Sequence, residues 1–310
     1  MRKFPLLLAA CLAAPLPLAG LAAVPGAAPP PVPLLWKVSD GDNALYLLGS
    51  FHLLRPSDYP LSADVDAALA DAESLLFEIS PEEMASPELA TGMMQAGLRD
   101  DGGTLDAQIG PELAARLRDW AAAQPPGTPV TADMLQRFEP WFAGLTVSLM
   151  QMTAMGLDPA LGLDQHFMAR AAEAGKPVGG LETAARQIAL FDGMAPAEQV
   201  QMLADALEDA STGKDRLEAL HADWRAGRVD ALWNGMAADM RREYPQLYQR
   251  INVDRNTAWL PQLAERLDAA GTDDTLVVVG ALHLLGEDGV VERLRERGYV
   301  VERICSACRD

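Results

Sequence analysis

Two of the four histidines in this 310-residue chain stand in the same local phrase. His52 lies in "LLGSFHLL" and His283 in "VGALHLLGEDG", each a glycine, two residues, a histidine and two leucines. An imidazole changes charge near neutral pH and binds metals through an unprotonated ring nitrogen. Two of them at one crevice can therefore share an ion, or act as base and electrophile on one substrate. A divalent ion would also need a carboxylate. Glu78 interrupts the otherwise apolar run "SLLFEI", and Glu182 ends "KPVGGLE". The structural alternatives are a buried hydrogen bond for each histidine and a cap or ion pair for each acid. His166 and His221 sit in helical patterns and read as surface or packing residues.

The elements around these residues suggest how they would be gathered. "LLWKVSD" and "NALYLLG" are apolar runs separated by Asp40, Gly41, Asp42 and Asn43, which predicts a β-hairpin. "SADVDAALADAE" predicts a helix with Ser62 as N-cap and Val65, Leu69 and Ala72 on one face, followed by the strand "SLLFEI". From Asp101 to about Ala270 apolar residues recur at three and four spacing, with one strand, "KPVGGLE". The end returns to strand, helix, strand in "TLVVVGAL", "EDGVVERLRERG" and "YVVERI". The fold class that follows is α/β, a central sheet built from N- and C-terminal segments with a large helical insertion covering one edge. Ligands in open α/β sheets lie outside the carboxyl ends of the strands, where both histidines would stand and reach solvent. Gly49 and Gly280 would let the backbone turn there.

The composition narrows the class. A formal charge of −19 repels phosphate backbones and anionic headgroups, which argues against nucleic acid or membrane as partner. An apolar content of 49% is enough for a full core. Residues 1–28 open with Arg2 and Lys3, continue with an apolar run and end in small residues, the pattern of a secretory signal cleaved between about Ala22 and Ala28. A retained anchor, or lipidation at Cys11 in "LAAC", are the competing outcomes. Residues 29–33 read as a proline-rich linker, 34–304 as the α/β domain and 305–310 as a tail. A periplasmic or secreted location follows, and there Cys305 and Cys308 can close a small disulfide.

Several phrases together resemble the TraB/GumN family: "GSFH" and "GALH", "FEIS", "GKPVGGLET" with Gln187 after it, "DRN" at Asp254 to Asn256, and the ending "GALHLLGEDGVVERLRERGYVVERI". The resemblance implies a fold shared with Tiki metalloproteases, erythromycin esterases and the haem-binding protein ChaN. It also implies a site of His52, His283 and Glu78 with Arg255 and Asn256 nearby. On this reading the chain is a metal-dependent, peptidase-like hydrolase. His52, Glu78 and His283 hold a divalent ion, Glu182 acts as general base, and Arg255 with Asn256 stabilises the oxyanion of a peptide or small-molecule substrate. Two alternatives stay open: a metal-independent esterase with His52 as the base, and a non-enzymatic haem or small-ligand binder. HExxH, GxSxG and P-loop motifs are missing.

Overall fold

The computed structural model describes residues 29–308; the expected signal segment lies outside the described residues. β1 (Leu35–Ser39) and β2 (Ala44–Ser50) form the expected antiparallel hairpin, with Leu35 opposite Leu48. Asp40 closes its turn by accepting from the backbone N–H groups of Asp42 and Asn43. β3 (Ser74–Ile79), β4 (Val178–Glu182) and β5 (Thr275–Gly280) run parallel, and β5 pairs in parallel with β2. β6 (Val300–Arg303) pairs with β1, giving the order β4-β3-β5-β2-β1-β6. The two ends of the chain thus share one six-stranded sheet.

β2 and β5 are buried at every position, which unalternating apolar runs require of strands covered on both faces. Leu45, Leu47, Leu48, Leu276, Val277 and Val278 are all essentially inaccessible. Each contributes about 2 kcal/mol of burial, so the sheet does not depend on the polar residues at its edge. Parallel pairing sets the carboxyl ends side by side: Ser50 is opposite Gly280, and Ile79 is opposite Glu182.

Between β3 and β5 the chain is largely helical apart from β4. The helical stretch starts at Pro81, sooner than the periodicity near Asp101 suggests. Ser80 and Ser86 cap two short helices there, their hydroxyls accepting from the backbone of Glu83 and Glu88, each with proline at the first position. Ser62 holds the N-cap position of the Ala63–Asp71 helix without a side-chain bond to it. The Asp254–Leu267 helix continues directly from a π-helical turn at Gln249–Val253, a geometry that often marks functional ground. Cys305 and Cys308 are joined as a disulfide.

Candidate active site

The loop after β2 carries His52. Its neighbour Leu54 pairs with Asp158 in a two-bond bridge, and Phe51 accepts from the backbone of Leu163 at 3.0 Å. These contacts lay the start of the Leu163–Ala174 helix against the loop. The approach is so close that a Cβ on Gly162 would lie 2.1 Å from the His52 carbonyl oxygen. Asp164, in the first turn of that helix, then meets His52: Oδ2 lies 2.7 Å from Nδ1 and also accepts from the Ser50 hydroxyl at 2.6 Å. A carboxylate only accepts, so Nδ1 carries the proton and Nε2 faces the other way.

What Nε2 faces is Glu78. Its Oε1 lies 4.0 Å from His52 Nε2 and 3.8 Å from His283 Nε2, so both histidines converge on one carboxylate oxygen. Those spans are too long for direct hydrogen bonds, and the one from His52 is of the length that a water bridges by donating to both Nε2 and Oε1. Gly280 donates its N–H to the same oxygen at 2.7 Å. A Cβ on Gly280 would stand 3.1 Å from Glu78 Oε1 and 3.3 Å from His52 Nε2. At the turn expected there, neither GxxH glycine uses a left-handed backbone; what each avoids is a Cβ clash. Gly280 has φ −51°, and Gly49 is not among the positive-φ glycines. Their role is space: a Cβ on Gly49 would meet Leu34 at 3.0 Å.

His283 is in a single 3-10 turn, Ala281–Leu284, and is buried rather than solvent-reaching. Arg255 Nη1 donates to its Nε2 at 2.8 Å, and its Nδ1 donates to Asn256 Oδ1 at 2.7 Å. Asn256 gives its own N–H to the Asp288 carbonyl at 2.8 Å. It is therefore placed behind His283 with both ends of its amide engaged, not facing the crevice. Arg255 is almost fully buried and clamps both glutamates, binding Glu78 through Nη2 and Glu182 through Nε at 2.8 Å and through Nη2. Gln187 joins the same two acids at 3.0 Å each. The Trp259 ring lies against both His283 and the guanidinium.

These partners split the two imidazoles. Burial works to lower the His52 pKa, but the charge and hydrogen bond of Asp164, helped by Glu78, raise it to about 9. Burial and the adjacent Arg255 charge push His283 down to about 3, so it stays neutral. Burial opposes the charge on Glu78, yet Arg255, the charged His52 and the Gly280 N–H hold it well below the usual carboxylate range.

A family model, described as the TraB/PrgY/gumN family, matches residues 34–303. The chain belongs to this family. The uncharacterized protein YbaP of Escherichia coli (strain K12) is 25% identical over 256 residues, covering 82% of this chain and 89% of YbaP; YbaP of Shigella flexneri matches equally. No solved structure matches. The TraB/PrgY/GumN fold of this chain brings His52, His283, Glu78, Glu182 and Arg255 into one cluster and sets Asn256 beside it.

The divalent ion implied by the family resemblance does not fit the donors as they stand. The His283 Nε2 lone pair accepts from Arg255, and Glu78 is committed to Gly280, Arg255 and Gln187. An ion among them would share buried space with a guanidinium. Among the described residues no three His, Cys, Asp or Glu side chains are grouped to hold an ion. Glu182 is likewise turned onto Arg255, its Oε2 lying 3.7 Å from Arg186 Nε and making no hydrogen bond among the described residues. Sequence reasoning missed Asp164 and Ser50. An acid in the first turn of a helix reads as a favourable end charge, and only its burial beside His52 sets Asp164 apart.

Proposed function

We propose that this TraB/PrgY/GumN-family chain is an exported hydrolase that cleaves an ester or amide carbonyl bond with His52 as the base and no resident metal. The observation that carries the reading is the His52 ring, held by Asp164 at Nδ1 with Nε2 aimed at Glu78 across 4.0 Å. In its neutral form His52 takes a proton from water through Nε2 while the water oxygen adds to the substrate carbonyl carbon. Arg255, its N–H groups held by Glu78, Glu182 and His283, keeps Glu78 in place beside the attacking water rather than meeting the oxyanion. The imidazolium then returns its proton to the leaving alcohol or amine as the carbon–heteroatom bond breaks, and a carboxylic acid and the free leaving group depart. The substrate is a peptide or a small ester; the acidic surface favours neither nucleic acid nor anionic membrane. The Cys305–Cys308 disulfide and the signal-like residues 1–28 support export.

The test is hydrolysis of p-nitrophenyl acetate and of a fluorogenic peptide set by the mature chain recovered from a periplasmic fraction. Turnover that survives EDTA and falls at least ~100-fold in His52→Gln is the expected result. Equal turnover in the variant, or none in the parent, overturns the reading. Loss on chelation with recovery on one divalent ion would instead place an ion on His52, Glu78 and His283 with Arg255 displaced.

A further inference from the structure

Nothing in the chemistry of His52 alone selects which of its nitrogens points into the crevice. A histidine after a strand end can rotate about its side-chain bonds, and a neutral imidazole can carry its proton on either nitrogen. Here one carboxylate oxygen removes both freedoms. Asp164 Oδ2 takes the Ser50 hydroxyl at 2.6 Å and lies 2.7 Å from His52 Nδ1, tying the end of β2 and the loop residue to the first turn of the Leu163–Ala174 helix. That helix cannot shift easily, because Leu163, Phe167 and Ala171 are fully buried under the sheet. Gly162 permits the contact, since any side chain there would strike the His52 carbonyl.

We infer that Asp164, braced by Ser50, is the positioning residue of the site: it keeps the His52 proton on Nδ1 and presents the Nε2 lone pair to the space beside Glu78 and Gly280. Asp164 touches no reacting atom. It acts through His52, as an acid behind a catalytic histidine does in the worked case of serine proteases, where losing the acid costs about 10⁴-fold through the wrong tautomer. The inference concerns the geometry of His52; only its kinetic arm rests on the hydrolase reading.

The experiment is nitrogen-15 NMR of the imidazoles in the full mature chain, with each variant held above the pKa of the ring, and His52 assigned by its absence in His52→Gln. The expected parent spectrum shows one neutral form with the proton on Nδ1. Asp164→Ala should move the proton mainly to Nε2, whereas Ser50→Ala, which leaves the acid in place, should not. If Asp164→Ala does not fold, Asp164→Asn preserves the shape and should give a detectable Nε2-protonated population. A parent spectrum with the proton on Nε2, or an unchanged Nδ1 form in the Asp164 variants that fold, overturns the inference. On p-nitrophenyl acetate, Asp164→Ala should lower kcat by at least ~100-fold with KM nearly constant. Because the spectrum needs no turnover, failure of the hydrolase reading and failure of this assignment are seen separately.

Discussion

At neutral pH the imidazoles of His52 and His283 carry different charges although the same phrase surrounds them. His52 has a carboxylate on Nδ1 and His283 a guanidinium on Nε2, and each partner comes from a different helix. That difference gives the proposed base a signature. If neutral His52 starts the reaction, the rate rises about tenfold per pH unit and levels near the pKa of about 9. A pH–rate profile of p-nitrophenyl acetate hydrolysis checks this; a flat profile between neutrality and pH 9 would remove His52 as the base. Arg255 is a different kind of residue, the counter-charge of two buried glutamates. Breaking such a cluster by removing one member costs about 3–5 kcal/mol, so an Arg255 variant that loses activity cannot be read as chemistry alone.

The strand ends and turns decide how closely these groups approach, and the glycines there are steric requirements. Gly280→Ala places a methyl 3.1 Å from Glu78 Oε1 and 3.3 Å from His52 Nε2, with no backbone atom among its three nearest neighbours. The expected outcome is loss of turnover with a thermal transition within a few degrees of the parent. Gly162→Ala meets the His52 backbone at 2.1 Å, which no side-chain motion relieves, and should cost about 2 kcal/mol or more. Calorimetry beside the activity assay separates the two. Equal destabilisation by both, or full activity in Gly280→Ala, would show that the crevice is looser than these contacts require. The Asp254–Leu267 helix matters in the same way. Its first turn, which continues from the π-turn at Gln249–Val253, offers Arg255 to the glutamates and Asn256 to His283 from consecutive positions.

Across the protein, buried titratable groups tie stability to pH. His283 falls from 6.5 to about 3 on folding, so its contribution is lost as pH drops below 6.5. Glu78, depressed well below the ordinary carboxylate range, adds to the same acid-side loss. His52 rises from 6.5 to about 9, so its contribution is complete below 6.5 and is lost as pH climbs toward 9. The two slopes meet near pH 6.5, where urea unfolding should find maximum stability, with a decline of about 1–3 kcal/mol on either side. Stability that climbs steadily from pH 6.5 to 9 would contradict the buried Asp164–His52 pair.

Much of the scaffold was legible in the chain. Apolar runs without alternation predict covered parallel strands, and β2 and β5 are such strands because only burial on both faces accounts for "ALYLL" and "TLVVV". The glycine–histidine phrases marked the carboxyl edge because parallel pairing puts strand ends side by side. Partnership was not legible. That Asp164 meets His52 across more than a hundred residues, and that Arg255 occupies the His283 nitrogen an ion would need, depends on how the helices are laid over the sheet edge. Local sequence determines which segments are strands and where a histidine ends one, since period and composition act over a few residues. Which charge stands beside each histidine, and so which is protonated, was decided only by tertiary structure, because desolvation and Coulomb energy depend on distance in space.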